Sequence, residues 1–160
     1  MKVCFLAASN SIHSYKWINY FADQGHKVIW ISLVPATFTI PNNIEYYEFT
    51  NGILYSIYKL RKLITNLNPD IVHIHYLGYY ALLGLFSGAE CIVSTAWGSD
   101  IIFKKKSFFK KQIVSRILKK SKFITCDAYF MRDELKKFGI SEEKIHIINF
   151  GIDTKKFFKK

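Results

Sequence analysis

The run Ser94-Thr-Ala-Trp-Gly-Ser-Asp100 places an indole, a glycine, a hydroxyl and a carboxylate side by side. Indole faces pack well on sugar rings, and a carboxylate takes hydrogen bonds from hydroxyls. A core tryptophan and a helix-capping aspartate account for the same residues equally well. A second group is Ser9-Asn-Ser-Ile-His-Ser-Tyr-Lys-Trp17, between an apolar run and an amphipathic one. The first turn of a helix offers unpaired amides and the positive end of its dipole, so this turn can hold a phosphate. An ordinary Ser/Asn cap explains it as readily. No G-x-G-x-x-G stands here, so the dinucleotide fingerprint is absent. In Pro69-Asp-Ile-Val-His-Ile-His75, strand alternation puts His73 and His75 on one face. A metal needs at least one more ligand, and nothing near in sequence supplies it, so no metal is expected. Both histidines read as buried and hydrogen-bonded, with His75, at the carboxyl end, the nearer to a ligand.

The elements that must hold these residues alternate along the chain. Strand-length apolar runs are Val3–Ser9, Lys27–Leu33, Ile44–Phe49, Ile71–His75, Cys91–Thr95, Phe123–Cys126 and Ile145–Ile148. Between them the 3.6-residue period predicts helices. One covers Ile12–Gln24, with Gly25 at its stop. Another is capped by Asn51 and turns Ile53, Ile57, Leu60, Ile64 and Leu67 to one face. Tyr79–Phe86 is short and apolar; Phe108–Lys120 is basic and sets Phe109, Ile113, Ile117 and, at the side, Leu118 toward one face; a last helix is capped by Asp127 and ends at Gly139. Strands alternating with helices imply a doubly wound, mostly parallel α/β sheet of Rossmann-like type. Ligands of such sheets bind beyond the carboxyl ends of the strands, which is where Ser9–Ile12, Tyr76–Gly78 and Ala96–Asp100 fall.

At 160 residues, half of them hydrophobic, one compact domain with a real core is expected. Cys4, Cys91 and Cys126 are odd in number and far apart, which suits buried thiols in a reducing compartment. The start Lys2-Val-Cys-Phe-Leu-Ala-Ala8 is too short an apolar run for a signal peptide. Ile71–Ala89 carries no formal charge and approaches a spanning length, but its histidines, tyrosines and glycines fit a strand and a buried helix better. Residues 1–100 are balanced, with six basic and six acidic side chains; the whole net charge of +11 lies in residues 101–160. Nine Lys or Arg and no acid lie between Asp100 and Asp127, a field that favours anionic partners.

The motifs resemble, in their order, those of the first domain of retaining glycosyltransferases of family four. Ser11-Ile-His-Ser-Tyr-Lys-Trp17 followed by Phe21-Ala-Asp-Gln-Gly-His-Lys-Val28 is similar to the family's opening, in the S-x-H-x-x-x-W version of a loop that is often glycine-rich. Gly25-His26 matches a structural turn, and Pro69–His75 the fourth-strand signature. Ser94–Asp100 corresponds to a segment in which a histidine commonly stands where Trp97 stands, so no catalytic residue is assigned. Thr125-Cys-Asp-Ala-Tyr129 matches a helix start, and Asn149-Phe-Gly-Ile-Asp153 is similar to the turn that closes the first domain.

The resemblance implies one half of a GT-B architecture. Residues 1–150 would form the acceptor-side domain and 151–160 the start of a linker to a donor-binding domain beyond this chain. A sugar would pass from a nucleotide diphosphate sugar to an acceptor hydroxyl with retention, in cell-surface glycan or lipid-linked saccharide synthesis. The nucleotide sugar is a co-substrate and no cofactor is expected. His13, Trp97, Asp100 and His75 are the expected acceptor-binding residues, with Ser11 close to the donor phosphate. Lys104, Lys105, Lys106, Lys110 and Lys111 are expected to face an anionic membrane from the cytoplasmic side. The isolated chain is expected to be inactive and to self-associate, with Phe157 and Phe158 pairing between copies. Two alternatives stay open: a stand-alone binding domain without catalysis, and a basic nucleic-acid-binding module. Aromatic residues are not interleaved in a recognisable RNA motif, so nucleic acid is not the expected partner.

Overall fold

The computed structural model describes residues 1–102, 108–149 and 151. Seven strands, β1 (Lys2–Leu6), β2 (Lys27–Ser32), β3 (Ile44–Glu48), β4 (Ile71–His75), β5 (Ile92–Thr95), β6 (Phe123–Cys126) and β7 (Ile145–Ile147), form one sheet in the order β3-β2-β1-β4-β5-β6-β7. Every neighbouring pair is parallel, with Phe5 opposite Trp30 on one side and His73 on the other. The helices are α1 (Ile12–Asp23), α2 (Ile53–Leu67), α3 (Tyr79–Phe86), α4 (Ser99–Ile102), α5 (Phe108–Lys120) and α6 (Tyr129–Lys136).

Strand alternation divides the core between the two faces of the sheet. On one face Ile18 and Ala22 of α1 cover Val3, Phe5, Val28 and Trp30. On the other, α2, α3, α5 and α6 bury Cys4, Leu6, Ile31, Ile74 and Ile124 under Leu60, Leu83, Ile117 and Leu135. Burial on both faces is why the central strands read as continuous apolar runs. It also pushes the Cys4 thiol up to about 12, so it behaves as a small hydrophobe. Gly84 lets α3 lie directly on β4: a Cβ there would sit 2.1 Å from Ile74 Cδ1. Helix α1 ends in a Schellman turn. Gly25, at φ +79°, donates to the Ala22 carbonyl at 3.0 Å and His26 to that of Phe21 at 3.2 Å, with the two rings in contact. His26 is thus a structural residue of the turn.

Three expectations are corrected. Helix α2 starts after Gly52, not Asn51, because the chain turns at φ +89°, which glycine tolerates. Helix α6 starts after Ala128, which is extended at φ −149°, so Asp127 is not its cap. In α5 the buried stripe runs through Val114, Ile117 and Leu118. At about 100° per residue that centre turns Phe109 away from the core, and it is 79% exposed. Lys104, Lys105, Lys106, Phe157 and Phe158 lie outside the described residues. No helix among those described is long and apolar enough to cross a membrane.

Candidate functional site

Strand order reverses between β1 and β4, and the crevice beyond their carboxyl ends is where a doubly wound sheet binds ligands. A cavity of ≈ 340 Å³ occupies that place, lined by Ala8, Ser11, Ser14, Tyr76, Trp97 and Ser99. Ser11 is the N-cap of α1, accepting from the Ser14 amide at 3.4 Å. The turn is therefore a cap and a wall of the crevice at once.

The turn is tied down by residues that sequence reasoning passed over. The Ser9 amide donates to Ser32 Oγ at 3.1 Å, and Ser9 Oγ donates to the Val34 carbonyl at 2.8 Å while accepting from the Tyr46 hydroxyl. The Leu33 amide donates to Tyr80 Oη at 3.0 Å. These bonds fix the loops after β1 and β2 against the start of α3. Serines between apolar runs carry no periodic signal, so only the fold reveals the clamp.

His13 and Trp97, 84 residues apart, meet over the crevice with ring centroids 5.1 Å apart. Beneath them His75 lies 5.6 Å from the Trp97 ring and 5.5 Å, edge-on, from Trp17. His73 is 4.6 Å from His75, and Phe5 touches both. His73 Nε2 is hydrogen-bonded to Thr95 Oγ1 at 2.8 Å, and Thr95 to Thr125 at 2.8 Å, a polar chain across β4, β5 and β6. Burial lowers His73 to about 3 and puts His75 well below the ordinary histidine range, with His73 as a second, smaller cause. Both rings are neutral at physiological pH and offer a diphosphate no cation. Among the described residues neither ring nitrogen of His75 has a hydrogen-bond partner. No group of three or more His, Cys, Asp or Glu among the described residues could hold a metal.

Asp100 lies in the first turn of α4, fully buried under the crevice floor. One carboxylate oxygen accepts from the Trp97 amide at 3.0 Å and the other from the Leu77 amide at 2.7 Å. The carboxylate therefore locks the loop after β5 to the loop after β4. Gly98, at φ +100°, makes the tight turn that brings it back to Trp97. The structure thus brings Ser11, His13 and Trp97 to the crevice surface and sets His75 and Asp100 one layer below. Tyr76, Ser14 and Ser99 join the lining. Lys110 and Lys111 stand apart, exposed on α5.

The family described as glycosyl transferase 4-like matches residues 2–128. No curated protein matches the chain by sequence. Among solved structures, the fold is similar to the Anabaena protein HepE in complex with UDP-glucose, at TM-score 0.72 and 14% identity, covering 97% of this chain and 45% of that one. It is similar to the lipopolysaccharide outer core galactosyltransferase WaaB in its apo form, at 0.69 and 15%, covering 95% and 46%. It is also similar to the UDP-GlcNAc 2-epimerase of Methanocaldococcus jannaschii, at 0.66 and 14%, covering 92% and 45%. The chain spans less than half the length of each. Its sheet is the Rossmann-like domain of GT-B architecture, and the chain belongs to the glycosyl transferase 4-like family.

Proposed function

We propose that this chain is the acceptor-side domain of a transferase that moves a sugar from a nucleotide diphosphate sugar to an acceptor hydroxyl with retention. The products would be cell-surface glycans or lipid-linked saccharides. The observation that carries this reading is the switch-point crevice, where His13 and Trp97 form an aromatic wall opposite the Ser11 turn. The Trp97 indole takes the face of the acceptor sugar. The Ser11 hydroxyl and the first amides of α1 approach the donor phosphate. Asp100 and His75 act from below by holding Trp97 in place. The nucleotide is held mainly by a second domain, and catalysis requires both domains to close and exclude water. The fold is shared with an epimerase, so the sheet alone does not select the reaction; family membership favours transfer. The protein works in the cytoplasm, docked on anionic membrane through the basic part of the chain.

The test is kinetic, in the full-length enzyme. Trp97→Ala is expected to raise the acceptor KM about tenfold, equivalent to ~1.4 kcal/mol, with the donor KM unchanged. A changed donor KM with an unchanged acceptor KM would reassign Trp97 and overturn the acceptor reading. The 160-residue chain alone is expected to transfer no sugar and to self-associate; measurable transfer by it would remove the need for a second domain.

A further inference from the structure

A second cavity, of ≈ 430 Å³, opens beside the crevice between the loops after β1 and β2, the start of α3 and the inner face of α5. It is larger than the crevice cavity and within the usual range of small-molecule sites. Its walls are mostly apolar, with Leu33, Val34, Leu77, Leu82, Ile113 and Val114 joined by the rings of Tyr76, Tyr79 and Tyr80. Among the described residues, Lys110 is the one charged side chain in the lining. Ala8 and Tyr76 line both cavities, so the two are neighbours with a shared partition.

That partition is built under strain. Tyr76 has φ +63°, in the left-handed region that a bulky side chain seldom occupies. The conformation is held by a 3.3 Å bond from its amide to the Thr95 carbonyl and a 2.7 Å bond from the Gly78 amide to its own carbonyl. Strained residues of this kind concentrate at ligand sites. On the other side, Phe108 and Phe109 immediately precede Lys110 and are 70% and 79% exposed. Exposed aromatic rings beside lysines suit a headgroup interface.

We propose that this cavity binds the hydrocarbon chain of a lipid phosphate, with Lys110 on the phosphate, and that such a lipid is the carrier of the acceptor sugar. The last part rests on the crevice being the acceptor site; the binding of the lipid phosphate does not. An apolar chain fills a space that water wets poorly, and the amine at its edge selects an anionic head. A sugar attached beyond the phosphate would then cross Tyr76 into the crevice.

The experiment is calorimetric titration of the 160-residue chain, without donor, with octyl phosphate, octyl glucoside and inorganic phosphate, the amphiphiles kept monomeric. Octyl phosphate should bind at least about tenfold more tightly than inorganic phosphate, because burying the chain supplies most of the affinity. Lys110→Gln should weaken octyl phosphate about fivefold and leave octyl glucoside unchanged, the effect of one partly exposed charge. Ile113→Trp, which fills the cavity, should weaken both amphiphiles about tenfold or more at an unchanged circular dichroism spectrum. If that variant unfolds, Val34→Phe obstructs the cavity from the β2 side and replaces it. Equal affinity for octyl phosphate and inorganic phosphate would overturn the proposal, as would wild-type amphiphile binding in a folded cavity-filled variant. Equal losses of both amphiphiles in Lys110→Gln would remove the phosphate from Lys110. A full-length protein that transfers no sugar would leave a positive binding result standing, and a negative one would leave the crevice reading intact.

Discussion

At the scale of the residue, Asp100 is the side chain whose role changes most once the fold is known. The four-residue run from Trp97 advertises an indole and a carboxylate together; the fold puts the indole in the crevice lining and buries the carboxylate. What a linear pattern cannot hold is direction. Besides the Trp97 amide, the Asp100 carboxylate accepts from the Leu77 amide, 23 residues earlier, so it faces backbone in two loops. Asp100→Ala is therefore expected to lower stability by roughly 2–4 kcal/mol, from two buried amides left without a charged acceptor. Urea unfolding measures this. A loss under about 0.5 kcal/mol, the size of an ordinary surface change, would mean that the two loops hold without it. The histidine pair gives a pH signature. Both are neutral when folded, His73 lowered to about 3 and His75 well below its usual range by burial. In the unfolded chain both titrate near ~6.5. Below that pH the unfolded state binds more protons, so stability falls as pH falls, by at most about 1.4 kcal/mol per unit for each histidine. The loss from His73 continues until pH approaches its folded value of about 3. His75→Phe should remove one proton from the linkage and flatten the stability curve between about pH 6.5 and 5. An unchanged slope there would show that His75 is not buried neutral.

At the scale of the element, period and punctuation carry the fold. Ile71–His75, Tyr79–Phe86, Phe108–Lys120 and Phe123–Cys126 are visible at their true bounds, because a buried strand or an apolar helix face writes itself as a run of fixed period. Caps are less legible. Asn51 and Asp127 each precede a helix, yet the backbone angles of Gly52 and Ala128 decide where the turn begins. Phe109 falls off the buried face for a related reason: a short stripe with apolar residues on its flank leaves the buried centre ambiguous by one position. Gly84 is legible only in the packed structure, where its missing Cβ makes room for Ile74 Cδ1. Gly84→Ala should gain helix propensity of about 1 kcal/mol but suffer overpacking of roughly 1–3 kcal/mol. Ile74→Val alone leaves a small void, at about 0.5–1.5 kcal/mol. Because valine lacks the clashing methyl, the double variant should be more stable than the two single changes sum to. Additive losses in a double-mutant cycle would mean that α3 shifts off β4 instead of pressing on Ile74.

At the scale of the molecule, charge is the property that separates one end of the chain from the other. The net charge of +11 is carried by residues 101–160, and no acid lies between Asp100 and Asp127. Lys110, Lys111, Lys119 and Lys120 are exposed on α5, with Phe108 and Phe109 beside them. A field built this way acts at a distance and without a shaped partner, which is why composition alone revealed it. Each basic side chain near an anionic surface contributes up to about 1 kcal/mol, so several together give weak, reversible docking. The expected outcome is co-sedimentation of the chain with vesicles containing phosphatidylserine and little with neutral ones. Raising salt from about 0.1 to 1 M shortens the Debye length from about 10 to about 3 Å and should release most of the protein. Replacing Lys110, Lys111, Lys119 and Lys120 by Gln should abolish the salt-sensitive part. Replacing Phe108 and Phe109 by Ser should remove whatever binding survives salt, because rings inserted among headgroups are held by burial rather than by the field. Equal binding to neutral and anionic vesicles would reduce the basic face to a solvated surface. Anionic-vesicle binding that the Gln variant keeps would move the docking face off α5, toward the lysines at 104–106 or those after residue 150.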